Sequence, residues 1–355
     1  MGWSFQEFLK DLFFLKGSLV WQIRQSFPKL PPSSVVIYDR ILGRKNFFQK
    51  WVASYPSHAV RGGESLKSID AFPQNIRKIL KLTQDLEKPI LVGVGGGSVG
   101  DFVGFCASVL RRGCPLIHIP STWLSAIDSA HGGKTALNVD AKNQIGTFKK
   151  PLKVFLVREL LESQPERRAA EALGELLKMA LLDGGGWFEK VRNALPEASS
   201  SFLLSRFLRE AIQGKYRIIE KDYLEISGGR RVLNLGHTLG HVLEVSHSLP
   251  HGVAVYMGLW MSVEWSLQKK FLSQREYKKV RSFFQTRIFQ KSFKEVQKRK
   301  LSPRKFLFLL GKDKKRVKGQ KIDFVFLKGI GRPYRYAVSF LSLLKECQRQ
   351  GWVKE

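Results

Sequence analysis

The stretch Asn234-Leu235-Gly236-His237-Thr238-Leu239-Gly240-His241, followed ten residues later by His251-Gly252, holds the densest set of reactive side chains in this chain. His237 and His241 stand at i and i+4, so on a helix both imidazoles leave the same face, one turn apart. Imidazole binds zinc-like metals and titrates nearest neutrality. The cluster therefore points to a metal site, a proton-transfer site, or both, against the plainer reading of a helix with incidental histidines. Glu175 and Lys178 stand three apart among Leu173, Leu176, Leu177 and Met179. A carboxylate there could join two histidines in a His/His/Glu site with an open position for substrate, or pair with the lysine alone. Lys215, Asp222, Glu225 and Arg230 lead into Asn234 as a further polar series.

A second chemistry is anion binding. Gly95-Gly96-Gly97-Ser98-Val99-Gly100-Asp101 directly follows an apolar run and opens a helical pattern. Glycines let a backbone approach phosphate closely, and the amides of the following helix point at the anion. The spacing departs from Gly-x-Gly-x-x-Gly, so strand-turn-helix context carries the nucleotide reading. Next come Pro120-Ser121-Thr122, Asp128-Ser129, Gly132-Gly133-Lys134-Thr135, Asn138 and Lys142-Asn143. This set suits a phosphorylated or polyhydroxylated ligand, although Ser, Thr and Gly are also ordinary loop residues.

Those turns need a scaffold. Residues 34–39, 89–94, 116–119 and 153–157 are short apolar runs stopped by an acid, by glycines or by proline. With helical patterns between them they predict a parallel α/β sheet. From Pro165 onward helical periodicity takes over, in Glu166–Leu182, Ser201–Lys221 and Val253–Lys270. The expected organisation is an α/β domain over 1–160 and a mostly α-helical domain over 161–355.

At 355 residues and 43% hydrophobic, the chain can bury a large core. Three cysteines without zinc-ribbon spacing suit a reducing cytoplasm. Glu7, Lys10, Asp11 and Lys16 interrupt any signal or membrane segment at the N-terminus. Sixty Lys and Arg against 30 Asp and Glu give a net charge of +30, and residues 261–355 hold 26 of the former and 7 of the latter. Such a field attracts phosphate-bearing molecules. The charges are scattered among Phe and Leu instead of forming a tail, so a solvated surface is favoured over a nucleic-acid partner.

Taken in order, GGGSVGDFVGF, RRG, PSTWLSAIDSAHGGKTALN, KNQIGTF, LGELLK, NLGHTLGH and HG resemble the 3-dehydroquinate synthases, members of the sugar phosphate cyclases. Gly62-Gly63-Glu64-Ser65-Leu66-Lys67-Ser68 and Asp313-Lys314-Lys315 extend the likeness, which runs from about residue 34 to 330. The resemblance implies an N-terminal Rossmann-like domain holding NAD and a helical domain holding a divalent metal, zinc first and cobalt next. It places the substrate, 3-deoxy-arabino-heptulosonate 7-phosphate, between the two.

By matched position the metal ligands become Glu175, His237 and His251, which replaces the i, i+4 pairing; His241 moves to the substrate or its proton relay. The NAD set becomes Asp39, Glu64, Lys67, Gly96, Gly97, Ser98, Asp101, Ser121, Thr122, Asp128, Ser129 and Lys142. Arg112, Lys134, Asn143 and a lysine of the 314–315 pair would hold phosphate. Lys215, Arg230 and Asn234 would hold the carboxylate, and Lys178, Glu225 and Asp128 the ring hydroxyls. The family reaction is a transient oxidation by NAD, β-elimination of phosphate, return of the hydride, ring opening and aldol closure. The resemblance also implies a homodimer in which Arg112 crosses the interface.

Several positions depart from the family pattern. Val253 replaces the acid after His-Gly, the His241–His251 loop is shorter, and one residue is added between Glu225 and Arg230 while one is lost between Asn138 and Lys142. Val157 and Leu160 replace an Asp and a Thr, and His131 replaces a small residue or valine. These changes bear on the NAD pocket rim and the surroundings of the metal. The alternatives are a sister cyclase giving an inosose or valiolone, a metal-dependent NAD(P) polyol dehydrogenase, and a non-catalytic polyanion-binding homologue.

Overall fold

The computed structural model describes residues 20–311, 316–317 and 320–355, so the N-terminal residues Glu7–Lys16 and the Asp313-Lys314-Lys315 motif lie outside the described residues. The chain divides into two compact units between Gln164 and Pro165.

In the first unit the strands are β1 (Trp21–Arg24), β2 (Ser34–Asp39), β3 (Ser57–Val60), β4 (Ile90–Gly95), β5 (Leu116–Pro120) and, after a β6–β7 hairpin (Lys134–Val139, Ala141–Phe148), β8 (Lys153–Val157). Six of them form one sheet in the order β1-β8-β5-β4-β2-β3, with parallel pairing throughout. Side chains alternate between two faces, as strand geometry requires. Val35 and Ile37 pack on one side with Leu91, Leu116 and the helix residues Phe102 and Val103. Val36 packs on the other with Val92, Val94, Ile119, Phe155 and Phe48. Burial on both faces explains the continuous apolar runs.

Helices α1 (Asn46–Val52), α2 (Phe72–Thr83), α3 (Gly97–Val109) and α4 (Trp123–Ile127) connect these strands. The order reverses between β2 and β4, which are neighbours although β3 lies between them in sequence. In such sheets ligands bind beyond the carboxyl ends of strands at that reversal. Here those ends carry Asp39 and the glycine turn.

The second unit contains α5 (Glu166–Asp183), α6 (Gly185–Ala194), α7 (Ser200–Ile219), α8 (His237–His247), α9 (His251–Gln268), α10 (Gln274–Arg281), α11 (Arg287–Lys298), α12 (Pro303–Gly311) and α13 (Phe340–Arg349). Between α12 and α13 lies an antiparallel sheet of β9 (Arg316–Val317), β10 (Lys321–Leu327) and β11 (Pro333–Ser339), in the order β11-β10-β9. The periodicity reading missed this sheet, along with β1, β3 and the hairpin. Among the described residues no helix is long and apolar enough to cross a membrane.

Close helix contacts set the second unit's geometry. A Cβ added at Gly174 of α5 would stand 2.1 Å from the Gly252 carbonyl oxygen, and one at Gly252 of α9 would stand 1.9 Å from that of Glu171. A Cβ at Gly258 would stand 1.8 Å from the Gly236 carbonyl oxygen. The two contacts draw α5, α9 and the start of α8 together next to the residues Glu175, His251 and His237.

Candidate active site

Glu175 comes from α5, His237 from the first turn of α8 and His251 from the first residue of α9. Their donor atoms all lie within 4.8 Å of one another. Glu175 Oε1 is 3.5 Å from Nε2 of His237 and 3.5 Å from Nε2 of His251. Donors bound at zinc–nitrogen and zinc–oxygen lengths to one tetrahedral ion stand about 3.4 Å apart, so the three residues fit such a cation.

The other ring nitrogens are already committed. His237 Nδ1 is 3.1 Å from the Leu235 carbonyl oxygen, and His251 Nδ1 is 2.9 Å from Glu244 Oε2. Each contact fixes ring orientation and leaves Nε2 toward the common centre. Burial would lower the His251 pKa, but Glu175 and Glu244 outweigh it and raise it to about 10 in the cation-free protein. A bound cation takes that proton's place.

Sequence reasoning missed Glu244. It identified Val253 as a lost acid, yet Val253 is buried in the core while Glu244, on the last turn of α8, supplies a carboxylate to His251. Glu244→Gln is expected to weaken zinc affinity by roughly 10- to 100-fold, measurable by chelator competition. His251 carries a raised pKa, so its stabilising contribution to cation-free protein is full below pH 6.5 and lost as pH rises toward 10. The thermal midpoint of that protein should therefore fall across this window more steeply in wild type than in Glu244→Gln.

Lys178, 1% exposed, places Nζ 2.5 Å from Glu175 Oε2. The His241 ring lies 5.5 Å from that of His237 and 6.2 Å from that of His251, beside the ligand set and outside it. His247, on the same helix, instead contacts the Arg299 carbonyl oxygen at 2.9 Å. Lys215 and Arg230 are buried. Arg230 donates from Nη1 to the Tyr223 carbonyl at 2.6 Å, and its backbone amide donates to Asp222 Oδ2 at 3.2 Å. Glu225 has a left-handed backbone (φ 59°) and stands 3.5 Å from Arg231 Nε. Asn234 closes the 3-10 turn Gly229–Asn234.

In the first unit the β4–α3 turn needs glycine, because a Cβ at Gly95 would stand 2.5 Å from Val99 Cβ. Gly96 caps α3, and Gly97 lies beneath Ser129. Ser98 Oγ accepts from the Gly63 amide at 2.9 Å. Asp39 leaves β2 and accepts from the Ile41 amide at 3.3 Å.

One network joins the two anion patches read from sequence. Buried Lys67 donates to Asp101 Oδ2 at 2.6 Å and also to Asn143 Oδ1. The Asn143 amide donates to Asn138 Oδ1 at 2.9 Å, and Asn138 Nδ2 donates to Glu64 Oε2 at 2.9 Å. Burial raises the Asp101 pKa, and Lys67 acts against that rise. Gly97, Asp101, Ser129, Lys134 and His118 line one cavity. His118 escaped the sequence reading; burial lowers its pKa to about 4, so it is neutral at physiological pH.

Ser121 is buried, whereas Lys142 is exposed on β7. Thr122 Oγ1 accepts from the Ser125 amide at 3.1 Å, and Ser129 Oγ donates to Ser125 Oγ at 3.1 Å. Asp128 follows α4. Arg112 is exposed on a turn where Arg111, Arg112 and Gly113 have φ of 49°, 65° and 118°. Arg111 holds the turn by donating to the Thr83 carbonyl at the end of α2, at 2.7 Å.

The departures at Val157, Leu160 and His131 turn inward. Val157 and Leu160 join the apolar cluster under the sheet, while buried His131 places Nε2 2.8 Å from the Ala126 carbonyl oxygen.

A doubly wound parallel sheet with a glycine turn at its reversal, and a helical unit with a Glu/His/His donor set, are the features of a nucleotide-binding, metal-dependent α/β enzyme. The fold matches 2-deoxy-scyllo-inosose synthase complexed with carbaglucose-6-phosphate, NAD+ and Co2+, with a TM-score of 0.75 and 24% identity over 90% of each chain. It also matches the 2-epi-5-epi-valiolone synthase of Streptomyces hygroscopicus subsp. jinggangensis with NAD+ and Zn2+ bound, with a TM-score of 0.73 and 20% identity over 94% of this chain and 98% of that one.

The 3-dehydroquinate synthase N-terminal model matches residues 57–171, and its C-terminal counterpart matches 172–316. The 3-dehydroquinate synthase of Zymomonas mobilis subsp. mobilis is 35% identical over 315 residues, 84% of this chain and 82% of that protein. The chain belongs to the 3-dehydroquinate synthase family.

Proposed function

We propose that the chain converts 3-deoxy-D-arabino-heptulosonate 7-phosphate to 3-dehydroquinate and phosphate, a carbon–oxygen lyase reaction in which NAD is used and restored within each turnover. The observation that carries this reading is the Glu175–His237–His251 donor set with Lys178 paired to it, in a chain matched to the family from 57 to 316. When bound, NAD supplies a reversible hydride acceptor, and a divalent cation, zinc by donor chemistry and cobalt next, polarises the hydroxyl being oxidised.

The chain's own residues bind and orient. Asp39 at the exit of β2 suits ribose hydroxyls, and the Gly96–Ser98 turn with the start of α3 suits pyrophosphate. Glu64, Lys67, Asp101, Ser121, Thr122, Asp128, Ser129 and Lys142 complete that set. Arg112 and Lys134 offset charge on the substrate phosphate and Asn143 hydrogen-bonds it, which makes it a better leaving group. Lys215, Arg230 and Asn234 receive the carboxylate. Lys178 and Glu225 hydrogen-bond ring hydroxyls, and His241 passes protons beside them. Holding one flexible substrate through successive steps is mainly a matter of orientation. We further place the protein in the cytoplasm as a homodimer, with exposed Arg112 reaching a partner's substrate.

Arg230 distinguishes this reaction from those of sister cyclases, because it is assigned to the carboxylate. Wild type should favour the heptulosonate phosphate over glucose 6-phosphate or a heptulose phosphate lacking the carboxylate. Arg230→Gln should lose roughly 10²- to 10³-fold in kcat/KM on the former and little on the latter. Equal turnover of the sugar phosphates that lack a carboxylate would favour a sister cyclase, and net NADH accumulation a dehydrogenase. Salt-sensitive polyanion binding without turnover would favour the non-catalytic reading.

A further inference from the structure

The turn that presents Arg230 and Asn234 is held from outside its own segment. Gly228, with a left-handed backbone (φ 76°), leads into the 3-10 turn, and its carbonyl accepts the Arg231 amide at 3.1 Å. The same carbonyl accepts Arg335 Nη1 at 2.7 Å, from a residue 107 positions away on β11. Arg335 is itself aimed, since Nε and Nη2 both donate to Asp323 Oδ2 of β10, at 2.9 and 2.6 Å. Asp323 lies opposite Ala337 in the ladder, two residues from Arg335, so the pair is a diagonal contact on one face of the sheet. The guanidinium also packs on the turn's backbone: a Cβ at Gly228 would stand 3.1 Å from Arg335 Nη1.

The near end of the segment has a different tether. Asp222 accepts the Ser227 amide at 3.0 Å through Oδ1 and the Arg230 amide at 3.2 Å through Oδ2. This loop carries the residue added between Glu225 and Arg230, and both Asp323 and Arg335 lie beyond the residues matched by the family's C-terminal model.

We infer that Arg335, aimed by Asp323, is a positioning residue for Arg230: it fixes the Gly228 peptide and with it the register of the turn that meets the substrate carboxylate. The inference rests on the assignment of Arg230 to that carboxylate. With side chains 13% and 30% exposed, the Asp323–Arg335 pair is partly buried, so exchange over 321–339 separates an effect on the turn from one on the sheet.

Arg335→Gln should raise KM for the heptulosonate phosphate about tenfold while kcat stays within threefold. Arg335→Lys, which keeps a charged donor, should recover most of that loss. Asp323→Asn combined with Arg335→Gln should be no worse than Arg335→Gln alone, because the two act as one unit. Hydrogen exchange supplies a readout independent of turnover. Amides of 227–235 should exchange at least tenfold faster in Arg335→Gln, with those of 321–339 unchanged.

Unchanged exchange at 227–235, or an unchanged KM beside faster exchange, would overturn the inference. So would faster exchange throughout 321–339, which would mark a merely structural pair. Should Arg335→Gln not fold, Asp323→Asn measured in the same two ways decides the matter. If wild type turns over no heptulosonate phosphate, the functional assignment fails, whereas the exchange result still reports on the tether.

Discussion

Glu175→Gln is expected to lose tight cation binding, to cut turnover by about three orders of magnitude or more, and to destabilise even the cation-free protein. The first two effects follow from removing the one anionic donor of a three-donor set. The third follows from Lys178. Its ion pair with Glu175 is 2.5 Å long, with side chains only 2% and 1% exposed. Removing one partner of a buried pair strands the other, at a cost of about 3 kcal/mol or more. His237→Ala separates the effects, because it deletes a ligand and leaves the Glu175–Lys178 pair whole. It should match Glu175→Gln in cation loss and destabilise the chelated protein less. Elemental analysis, denaturant titration with chelator and phosphate release measure the three quantities. A Glu175→Gln protein that kept its cation and turnover would remove the basis of the site.

Gly252→Ala should be nearly as damaging, without touching a ligand. The added methyl would stand 1.9 Å from the Glu171 carbonyl oxygen and 3.0 Å from its carbon. Both are backbone atoms, so no rotamer change relieves the contact and α5 must move away from α9. Overpacking of this kind costs about 3 kcal/mol, roughly a 6–12 °C fall in thermal midpoint for a unit the size of Pro165–Glu355 unfolding as one. Gly252 adjoins His251 and Gly174 adjoins Glu175, so the same movement spreads the ligand set. Zinc affinity should drop roughly 10- to 100-fold, as for other losses of ligand positioning. Gly186→Ala on α6 is the control: a Cβ there meets nothing within 4 Å, and the change should be neutral or slightly stabilising. A Gly252→Ala protein with wild-type midpoint and zinc affinity would show that the helix contact is slack.

The parts of the fold legible in the sequence were those with both faces buried. The runs at 34–39 and 153–157 coincide with β2 and β8, that at 116–119 stops one residue short of β5, and that at 89–94 is one residue off β4 at each end. The missed strands lack that signal. β1 and β3 are four-residue segments, WQIR and SHAV, at the two edges of the sheet. β10 reads KIDFVFL, a short apolar run that periodicity cannot separate from a buried helix turn.

The site shows the same division. Local spacing placed His237 and His241 on one helix face, where they are, but the residue that completes the donor set with His237 and Glu175 is His251 on the next helix. Glu244 reaches His251 across the turn between α8 and α9, and Arg335 acts on a turn 107 residues away, through a contact that no sequence window contains. The departure at Val253 looked like a lost acid because the carboxylate that serves His251 comes from seven residues earlier.

The most direct test counts product per cofactor. Purified, zinc-replete protein is given the heptulosonate phosphate with NAD far below substrate, and phosphate and 3-dehydroquinate are quantified beside NADH, with His237→Ala in parallel. Many equivalents of both products per NAD, no net NADH and loss of turnover in His237→Ala are the expected result. One equivalent or fewer per NAD, stoichiometric NADH, or equal turnover in the variant would contradict it.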